Sequence, residues 1–468
     1  MSITQLAKQS IVYGLGHVAS RFITFLLLPI LTSSLTTNEF GIISKFYAFT
    51  GLAMAFYRYG MDTALMKFYI QNDNSKAYFS SIIILQMISS ILLSGLIWIA
   101  GHQLSQFIFS IYNPQYIIYI ITIIYADIIW NLITLTLRAE KKPILFISIN
   151  LLNVVSILIL TIYLVNQQMM GVQGVLLANV IASIITLFVS LFLLFNRFAI
   201  KSIDYNFLKP ILKFGLPFFP AAIFAMIHES ADKFILAYLL NDHFVGLYAA
   251  GYKLGIFGLL IVMAFNMGWT PYFLEHGAKK NAEQNFSIIQ TLFLGVMGFL
   301  GILLTIIIPI IANVDIMGYQ LIGEKFIEGI IILPIILVSY YFFGLYVLLL
   351  PTIYILEKTY LIPIIRGLGA VSNILLNFLL IPVWGIIGAA LANLGAFIIM
   401  FLIILFSNYK LKPAKYNFKG WVFPLIMWSL IIFFNSYIES LIILISYPIL
   451  WYYFVLNYLE KEKIKEFL

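Results

Sequence analysis

The sequence predicts an all-α polytopic membrane protein. Of its 468 residues, 62% are hydrophobic and 10% are charged, and a typical soluble protein has about 25% charged residues. The mean hydropathy is +1.02, which excludes a soluble protein with a single membrane anchor. Apolar stretches of about 20 residues, long enough to cross a hydrocarbon core of roughly 30 Å, follow one another along almost the whole chain.

The apolar stretches divide into about fourteen predicted spans. The first is too long for the hydrophobic region of a cleaved signal peptide, so we expect it to be a spanning helix. The loops are short, and we therefore expect no domain outside the membrane. The spans run near residues 9–31, 41–66, 79–101, 116–137, 143–165, 174–196, 214–239, 244–268, 286–312, 327–350, 361–381, 386–407, 420–437 and 440–458.

The basic residues indicate how these spans are oriented. With a cytoplasmic N-terminus, 20 of the 27 lysines and arginines fall in segments on the cytoplasmic side, whereas the outer loops hold Lys325 alone. This asymmetry follows the positive-inside rule and places both termini in the cytoplasm. It also explains the basic pI of about 9.2, so we expect no nucleic-acid partner.

Ten charged side chains lie inside the predicted spans. A charge at the bilayer centre costs roughly 2.5–3.5 kcal/mol, so most of these groups must face protein, water or a ligand. A polar cavity inside a helical bundle meets this requirement and is typical of a transporter. The ten residues are Arg21, Lys45, Arg58, Asp62, Asp127, Glu229, Asp232, Lys233, Lys253 and Arg366.

A membrane enzyme, such as a polysaccharide polymerase or a glycosyltransferase, is the alternative from another functional class. The predicted outer loops are too short to hold a catalytic domain. The chain has no cysteine, and we find no nucleophile–base pair, metal-ligand cluster or phosphate-binding glycine loop. The sequence therefore favours a transporter without a catalytic residue, a bound metal or a cofactor.

An internal repeat predicts two similar halves. The pattern GxxGxxLAN begins at Gly171 before the sixth span and again at Gly385 before the twelfth. A shorter match relates Gly41, before the second span, to Gly246, before the eighth. Both matches pair a span with the one six positions later, which indicates two six-helix lobes in parallel orientation with the substrate path between them.

Several motifs resemble the multidrug/oligosaccharidyl-lipid/polysaccharide exporter superfamily, and within it the polysaccharide flippases of the Wzx type. The resemblance covers about residues 5–410. The motifs are Leu28-Pro29-Ile30-Leu31-Thr32 with Leu35 and Glu39-Phe40-Gly41, then Asp232-Lys233-Phe234-Ile235-Leu236, Val245-Gly246-Leu247-Tyr248 and Tyr252-Lys253, and finally Asn373-Ile374-Leu375-Leu376-Asn377-Phe378-Leu379-Leu380-Ile381-Pro382.

The resemblance implies a V-shaped transporter of the bacterial inner membrane that works by alternating access. Its lobes would be residues 1–200 and 201–410, with two extra helices and a cytoplasmic tail in 411–468. The cargo would be a polyprenyl-pyrophosphate-linked oligosaccharide, moved among membrane lipids and with other polysaccharide-assembly proteins as candidate partners. A lipid II flippase and an ion-coupled multidrug antiporter are the alternatives within the same fold.

The first span carries a polar stripe that includes His17 and Arg21. Spacings of three and four residues place this stripe on one face of the helix, with Arg21 near mid-membrane. The second span repeats this rhythm and ends with Arg58 and Asp62. We expect Arg21 and Arg58 to bind pyrophosphate, because a guanidinium group matches phosphate oxygens and stays charged. Alternatively, Arg58 and Asp62 neutralise each other at positions i and i+4.

The acidic residues are candidates for ion coupling or gating. His228 with Asp232 and Glu229 with Lys233 form two i,i+4 pairs in the seventh span, which either take up H+ or Na+ or only neutralise each other. Asp127 has no partner nearby in sequence. It is a protonation site or the partner of Arg21 or Arg58.

The remaining cations receive two different predictions. Lys253, in the eighth span, is a candidate contact of the second lobe with anionic cargo. Lys45 and Arg366 lie near the ends of spans, and we expect their long side chains to reach the membrane interface. Across the ten charges, six positive groups outnumber four negative groups, and this excess favours an anionic cargo over a cationic drug.

Overall fold

Helices account for almost all of the chain that the structure describes, which confirms the predicted fold class. The chain packs as two units, Met1–Gly246 and Leu247–Leu468. The lobe boundaries at residues 200 and 410 stay predictions. The computed structural model describes residues 3–71, 74–194, 198, 207–277, 279, 281–312, 314–316, 319–411, 416–434 and 436–467.

The first unit contains ten helices and the start of an eleventh within its described residues. A π-helical turn, Ile162–Gln167, extends α7, and a 3-10 turn, Leu216–Phe218, separates α9 from α10. The helices are α1 (Ile3–Ser34), α2 (Thr37–Arg58), α3 (Met61–Gln71), α4 (Ser75–Ile99), α5 (Gly101–Phe109), α6 (Pro114–Ala139), α7 (Pro143–Thr161), α8 (Gly171–Leu194), α9 (Leu208–Gly215), α10 (Phe219–Leu239) and α11 (Asp242–His276).

The second unit contains the rest of α11 and six further helices among its described residues. Two short antiparallel strands, β1 (Asp315–Ile316) and β2 (Tyr319–Gln320), pair Asp315 with Gln320. A 3-10 segment, Glu324–Ile332, leads into α13. The helices are α12 (Ala282–Ala312), α13 (Leu333–Ile355), α14 (Leu361–Leu411), α15 (Phe418–Phe434), α16 (Tyr437–Leu450), which a π-helical turn Trp451–Val455 extends, and α17 (Tyr458–Phe467).

Eleven helical segments of the described chain are long and apolar enough to cross a membrane. Two shorter apolar helical stretches, Val18–Ser34 and Phe418–Ile431, accompany them. The 51-residue helix α14 is broken at Gly385, where φ is 55° and ψ is −128°. The protein is therefore a multi-pass membrane protein, and the number of fourteen spans stays a prediction.

The helix termini are set by local sequence. α2 begins with a capping box, in which the Thr36 hydroxyl accepts from the Glu39 backbone and the Glu39 carboxylate accepts from the Thr36 backbone. α6 begins with Asn113 as the cap and Pro114 in the first turn, where its fixed φ suits a helix. Such caps satisfy backbone groups that a helix end leaves without partners.

Apolar residues at helical spacing form the core of the first unit. One face of α6 buries Ile117, Ile120, Ile124 and Ile128, at spacings of three and four residues. This face packs with buried side chains of α2, α3, α4 and α8. In a membrane, such packing holds helices together by close van der Waals contact, because lipid tails are as apolar as the helices themselves.

The repeat found in the sequence has a counterpart in the backbone. Gly171 and Gly385, which open the two copies of GxxGxxLAN, have φ angles of 54° and 55°. This left-handed region suits glycine, because a Cβ atom is strained there. The two copies therefore begin with a glycine at almost the same positive φ.

The shorter repeat marks a close helix crossing in the first unit. A Cβ at Gly41 would overlap the carbonyl of Asp242, and a Cβ at Gly246 would overlap the carbonyl of Thr37. Each glycine thus meets the carbonyl four residues before the other. The start of α2 and the start of α11 approach backbone to backbone because neither crossing residue has a side chain.

Candidate functional site

Arg58 is the last residue of α2 and lies at a break in the predicted second span. Tyr59 and Gly60 have φ angles of 29° and 83°, and the chain restarts as α3 at Met61. Asp62 therefore belongs to another helix, and its spacing from Arg58 no longer brings the two onto one face. The Asp62 carboxylate instead accepts from the backbone N–H of Thr63 at 2.8 Å. The prediction of a single helix over 41–66 was wrong at this point.

Polar side chains of α4 support the broken end of α2. The Gln86 side-chain amide donates to the Tyr57 carbonyl at 2.6 Å. The hydroxyl groups of Tyr57 and Tyr59 pair with those of Ser94 and Ser89, each at 2.9 Å. These bonds replace partners that the helix end lacks. Arg58 is thereby held at a fixed position in the first unit.

Asp127 of α6 lies near enough to Arg58 for their charges to interact. Its carboxylate accepts from the indole N–H of Trp130 at 2.8 Å and from the side chain of Ser183 on α8, and it interacts electrostatically with Arg58. The sequence left open whether Asp127 is a protonation site or the partner of Arg21 or Arg58; the structure adds an electrostatic interaction with Arg58, and the choice stays a prediction. Sequence reasoning missed both Trp130 and Ser183. The spacing of three residues between Asp127 and Trp130 was an available signal, whereas Ser183 lies far along the chain and gave none.

The guanidinium of Arg58 keeps an N–H group that is not hydrogen-bonded within the described residues. The side chain is half-buried, and its Nε has no hydrogen-bond partner among the described residues. Trp130 and Ser183 already satisfy part of the Asp127 carboxylate, which orients Arg58 through its charge. A half-buried guanidinium with one donor that lacks a hydrogen bond suits a phosphate-bearing ligand.

Lys45 is the clearest correction to the sequence predictions. It does not reach the membrane interface, because its side chain is 2% exposed and its Nζ lies 2.6 Å from the Asp242 carboxylate at the start of α11. The Ser110 hydroxyl donates to the same carboxylate at 3.0 Å. Sequence reasoning missed Asp242, since the 197 residues that separate it from Lys45 give no local signal.

The charged cluster of α10 is compact. Asp232 is 1% exposed, and its carboxylate pairs with Lys233 at 3.1 Å. The Lys233 ammonium also donates to the backbone carbonyl of Glu229 at 2.8 Å. His228 is buried one turn before Asp232, and Glu229 is exposed. The choice between ion uptake and local neutralisation stays open for these four residues.

Arg21 and His17 belong to α1. Arg21 is exposed, as are Val18 and Phe22 beside it. The side chain of His17 lies outside the described part of the structure. The proposed binding roles of both residues stay predictions.

Two cations of the second unit lie beside tyrosines. Lys253 is half-buried on α11, directly after Tyr252, whose hydroxyl accepts from that of Tyr340 at 2.8 Å. Arg366 is also half-buried, and its guanidinium lies beside the buried Tyr346 hydroxyl. That Arg366 reaches the membrane interface stays a prediction.

Four asparagines of α14 are fully buried, Asn373, Asn377, Asn393 and Asn408. The Asn377 amide donates to the Asn373 carbonyl at 2.8 Å, and Asn393 is 1% exposed beyond the break at Gly385. Asn373 Nδ2, Asn377 Oδ1 and Asn393 Oδ1 have no hydrogen-bond partner among the described residues. Sequence reasoning used those three asparagines only as markers of resemblance and repeat. Asparagines one turn apart in an apolar helix were the available signal for buried polar side chains.

Over the part of the chain that the structure describes, no group of three or more His, Cys, Asp or Glu residues is arranged to hold a metal ion.

Comparisons with known proteins give the family. A family model described as "Polysaccharide biosynthesis protein" matches residues 6–277. The Lsg locus putative protein 1 of Haemophilus influenzae is 25% identical over 360 residues, which cover 72% of this chain and 84% of that protein. An uncharacterized membrane protein of Methanocaldococcus jannaschii is 23% identical over 87% of this chain and 99% of its own length.

Solved structures with the same fold include two kinds of transporter. The lipid II flippase MurJ in an inward closed conformation has a TM-score of 0.73 and 16% identity, over 94% of this chain and 97% of its own. A multidrug resistance MATE family transporter of the MOP superfamily, in an inward-facing conformation, has a TM-score of 0.61 and 14% identity, over 88% and 96%. The family match covers more than half of the chain, and the fold agrees along nearly all of it. The chain therefore belongs to the polysaccharide biosynthesis protein family, and it shares its fold with the lipid II flippase and the MATE transporter.

Proposed function

We propose that this protein is a flippase for polyprenyl-pyrophosphate-linked oligosaccharides in the bacterial inner membrane. It carries the oligosaccharide unit of polysaccharide biosynthesis from the cytoplasmic to the outer leaflet by alternating access. The family assignment supports a role in polysaccharide biosynthesis, and the fold supports transport. Lipid II, the cargo in the name of one structural neighbour, is the alternative cargo.

This proposal rests mainly on the hydrogen bonding of the Arg58 side chain. A cation in a membrane span is costly and needs a compensating partner. Asp127 supplies the charge, yet the Arg58 Nε remains without a hydrogen bond among the described residues. A pyrophosphate would accept from such a guanidinium through two parallel hydrogen bonds. The head group of the cargo would then be bound in the first unit.

The test is reconstitution of the purified protein in liposomes with a fluorescent polyprenyl-pyrophosphate-linked oligosaccharide. Arg58→Ala should reduce flipping at least about tenfold, the loss expected for a charge-assisted hydrogen bond worth about 1.5–3 kcal/mol. Arg58→Lys should restore it only in part, because an ammonium lacks the planar fork. Lys76→Ala removes an exposed cation of the same unit and serves as the matched control.

Three outcomes would count against the proposal. Unchanged flipping in Arg58→Ala would remove this residue from cargo binding. Flipping of lipid II in preference to the oligosaccharide lipid would change the cargo. Export of cationic dyes without any lipid flipping would favour the multidrug antiporter.

We propose Asp127 as the residue that couples transport to an ion, H+ or Na+. Its carboxylate lies between Arg58 and the polar side chains of Trp130 and Ser183, so its charge acts directly on the proposed cargo site. Flipping by the native protein should respond to an imposed gradient of one of the two ions. Asp127→Asn should abolish that response, and a response that persists in Asp127→Asn would place coupling elsewhere.

A further inference from the structure

A second polar site lies far along the chain from Arg58, in the second unit. A cleft of about 1000 Å³ opens where the starts of α12, α15 and α17 meet the end of the π-helical turn Trp451–Val455. We name it the C-terminal cleft. Its segments include loops predicted to be cytoplasmic. Its volume is at the upper end of the roughly 300–1,000 Å³ usual for small-molecule sites.

Uncharged hydrogen-bonding groups dominate the described lining of the C-terminal cleft. Four side-chain amides line it, together with the hydroxyl of Ser287. Glu283 and Lys419 add one charge of each sign, so their charges offset each other. An amide can both donate and accept hydrogen bonds, and two of the four, Asn417 and Asn457, also bond to Glu460. The amide residues are Asn281, Gln284, Asn417 and Asn457.

Aromatic rings complete the lining. Tyr416, Tyr453 and Phe454 border the cleft, and the last two are each 69% exposed. A phenol ring offers an apolar face and a polar tip. Rings beside amides and a hydroxyl match a sugar, which has apolar C–H faces and a rim of hydroxyl groups.

Buried hydrogen bonds hold one wall of the cleft in place. Glu460 is fully buried, and its carboxylate accepts from the Asn417 side chain at 3.2 Å and from the Asn457 backbone at 2.8 Å. The Asn457 side chain in turn accepts from the Glu460 backbone at 2.9 Å. This capping box fixes α17 against the segment before α15, so the site is formed before a ligand arrives.

An unsatisfied acceptor lies deeper in the same region. A narrower pocket of about 40 Å³ shares Glu283, Ser287 and Tyr416 with the cleft and is also lined by Gln290. Gln290 is 4% exposed and donates to the Leu348 carbonyl at 3.0 Å, while its Oε1 has no partner among the described residues. A buried acceptor without a partner is costly, so a ligand hydroxyl that donated to it would be favoured.

We infer that the C-terminal cleft binds an uncharged saccharide. The two lining charges offset each other, which disfavours pyrophosphate in the cleft. The cleft would therefore recognise the sugar, and Arg58 the pyrophosphate, of the same lipid-linked cargo. This inference rests on the proposed function for its biological role. The cleft would take the sugar end on the predicted cytoplasmic side, before the cargo enters the transport path.

The test measures sugar binding directly and does not require transport. The purified full-length chain, labelled and held in lipid nanodiscs, is applied to an array of uncharged di- to tetrasaccharides with inorganic pyrophosphate as a separate probe. The native chain should bind at least one saccharide. Gln284→Ala combined with Tyr453→Ala should weaken that binding about tenfold or more, through the lost hydrogen bonds and stacking.

Two matched variants separate this inference from the proposed function. Tyr409→Ala removes a tyrosine of the same unit that is 70% exposed and does not line the cleft, so saccharide binding should be unchanged. Arg58→Ala should lose flipping and keep saccharide binding. The inference is overturned if no saccharide on the array binds, or if Gln284→Ala/Tyr453→Ala binds as well as the native chain. Both results can be obtained whether or not the protein flips lipids.

Discussion

At the scale of single residues, the structure shows how buried charges are tolerated. Lys45 pairs with Asp242, whereas Arg58, which interacts electrostatically with Asp127, has an Nε without a hydrogen-bond partner among the described residues. Around the first pair, the Phe107 carbonyl accepts from Lys45 at 3.5 Å and the Ser110 hydroxyl donates to Asp242 at 3.0 Å. We therefore assign a structural role to the Lys45–Asp242 pair, and the binding role of Arg58 stays a proposal.

The ion pair between Lys45 and Asp242 predicts how substitutions there change stability. Lys45→Met leaves a buried carboxylate without its partner and should cost about 3–5 kcal/mol, because an uncompensated buried charge is strongly unfavourable. Asp242→Leu alone should be similarly destabilising. The double variant Lys45→Met/Asp242→Leu should recover part of the loss. Thermal unfolding in detergent measures all three, and a double variant no more stable than either single one would contradict the pairing.

At the scale of helices, glycines decide where elements approach and where they break. Gly41 and Gly246 let α2 and α11 meet backbone to backbone in the first unit. Gly171 and Gly385 open repeat-related helices at almost the same positive φ. In the sequence repeat, Gly41 corresponds to Gly246 and Gly171 corresponds to Gly385. The repeat therefore preserves backbone geometry at positions where a side chain is excluded.

The crossing predicts intolerance of the smallest side chain. Gly41→Ala and Gly246→Ala should each cost about 1–3 kcal/mol, because the new Cβ would overlap a carbonyl and force the helices apart. Gly95→Ala on α4 is the control, since a Cβ there meets no atom within 4 Å. Thermal unfolding of the three variants checks this, and equal midpoints would disprove the close approach.

The backbone conformation predicts a second set of glycine effects. Gly385→Ala and Gly171→Ala place a Cβ at positive φ, which costs about 1–3 kcal/mol of strain. Space around Gly385 is open within 4 Å, so strain is the main cause there. Gly268→Ala, in a helical position with equally open space, should be neutral. If Gly385→Ala and Gly268→Ala had the same thermal unfolding midpoint, backbone strain at Gly385 would be excluded.

At the scale of the whole molecule, orientation in the membrane is the property that remains a prediction. The eleven long apolar helices establish a multi-pass protein, and the distribution of lysine and arginine predicts which loops are cytoplasmic. The chain has no cysteine, so a single introduced thiol can be labelled without background. Exposed lysines on both predicted sides of the membrane are suitable positions for the introduced cysteine.

Cysteine labelling of intact cells tests the orientation. Lys325→Cys, before α13, should react with a membrane-impermeant maleimide from outside. Lys358→Cys, between α13 and α14, should react only after the membrane is permeabilised. Both lysines are exposed, so accessibility to the reagent depends on the side of the membrane. The reverse pattern would invert the topology.

The sequence by itself determined the fold class, the family resemblance and the internal repeat. These depend on composition over about 20 residues and on short motifs, both of which are local along the chain. Asp127 and Arg58 were identified for the same reason, since a charge in an apolar stretch stands out without any structure. The orientation of the chain in the membrane still rests on such local evidence, the distribution of lysine and arginine.

Only the tertiary structure decided which charges meet and where helices break. Lys45 pairs with Asp242 across distant parts of the chain, and the end of α2 at Arg58 is supported by Gln86 of α4. The C-terminal cleft likewise combines segments that begin near residues 281, 416 and 453. No local pattern encodes such contacts, because inside a bilayer the partner of a polar group is set by which helices pack together.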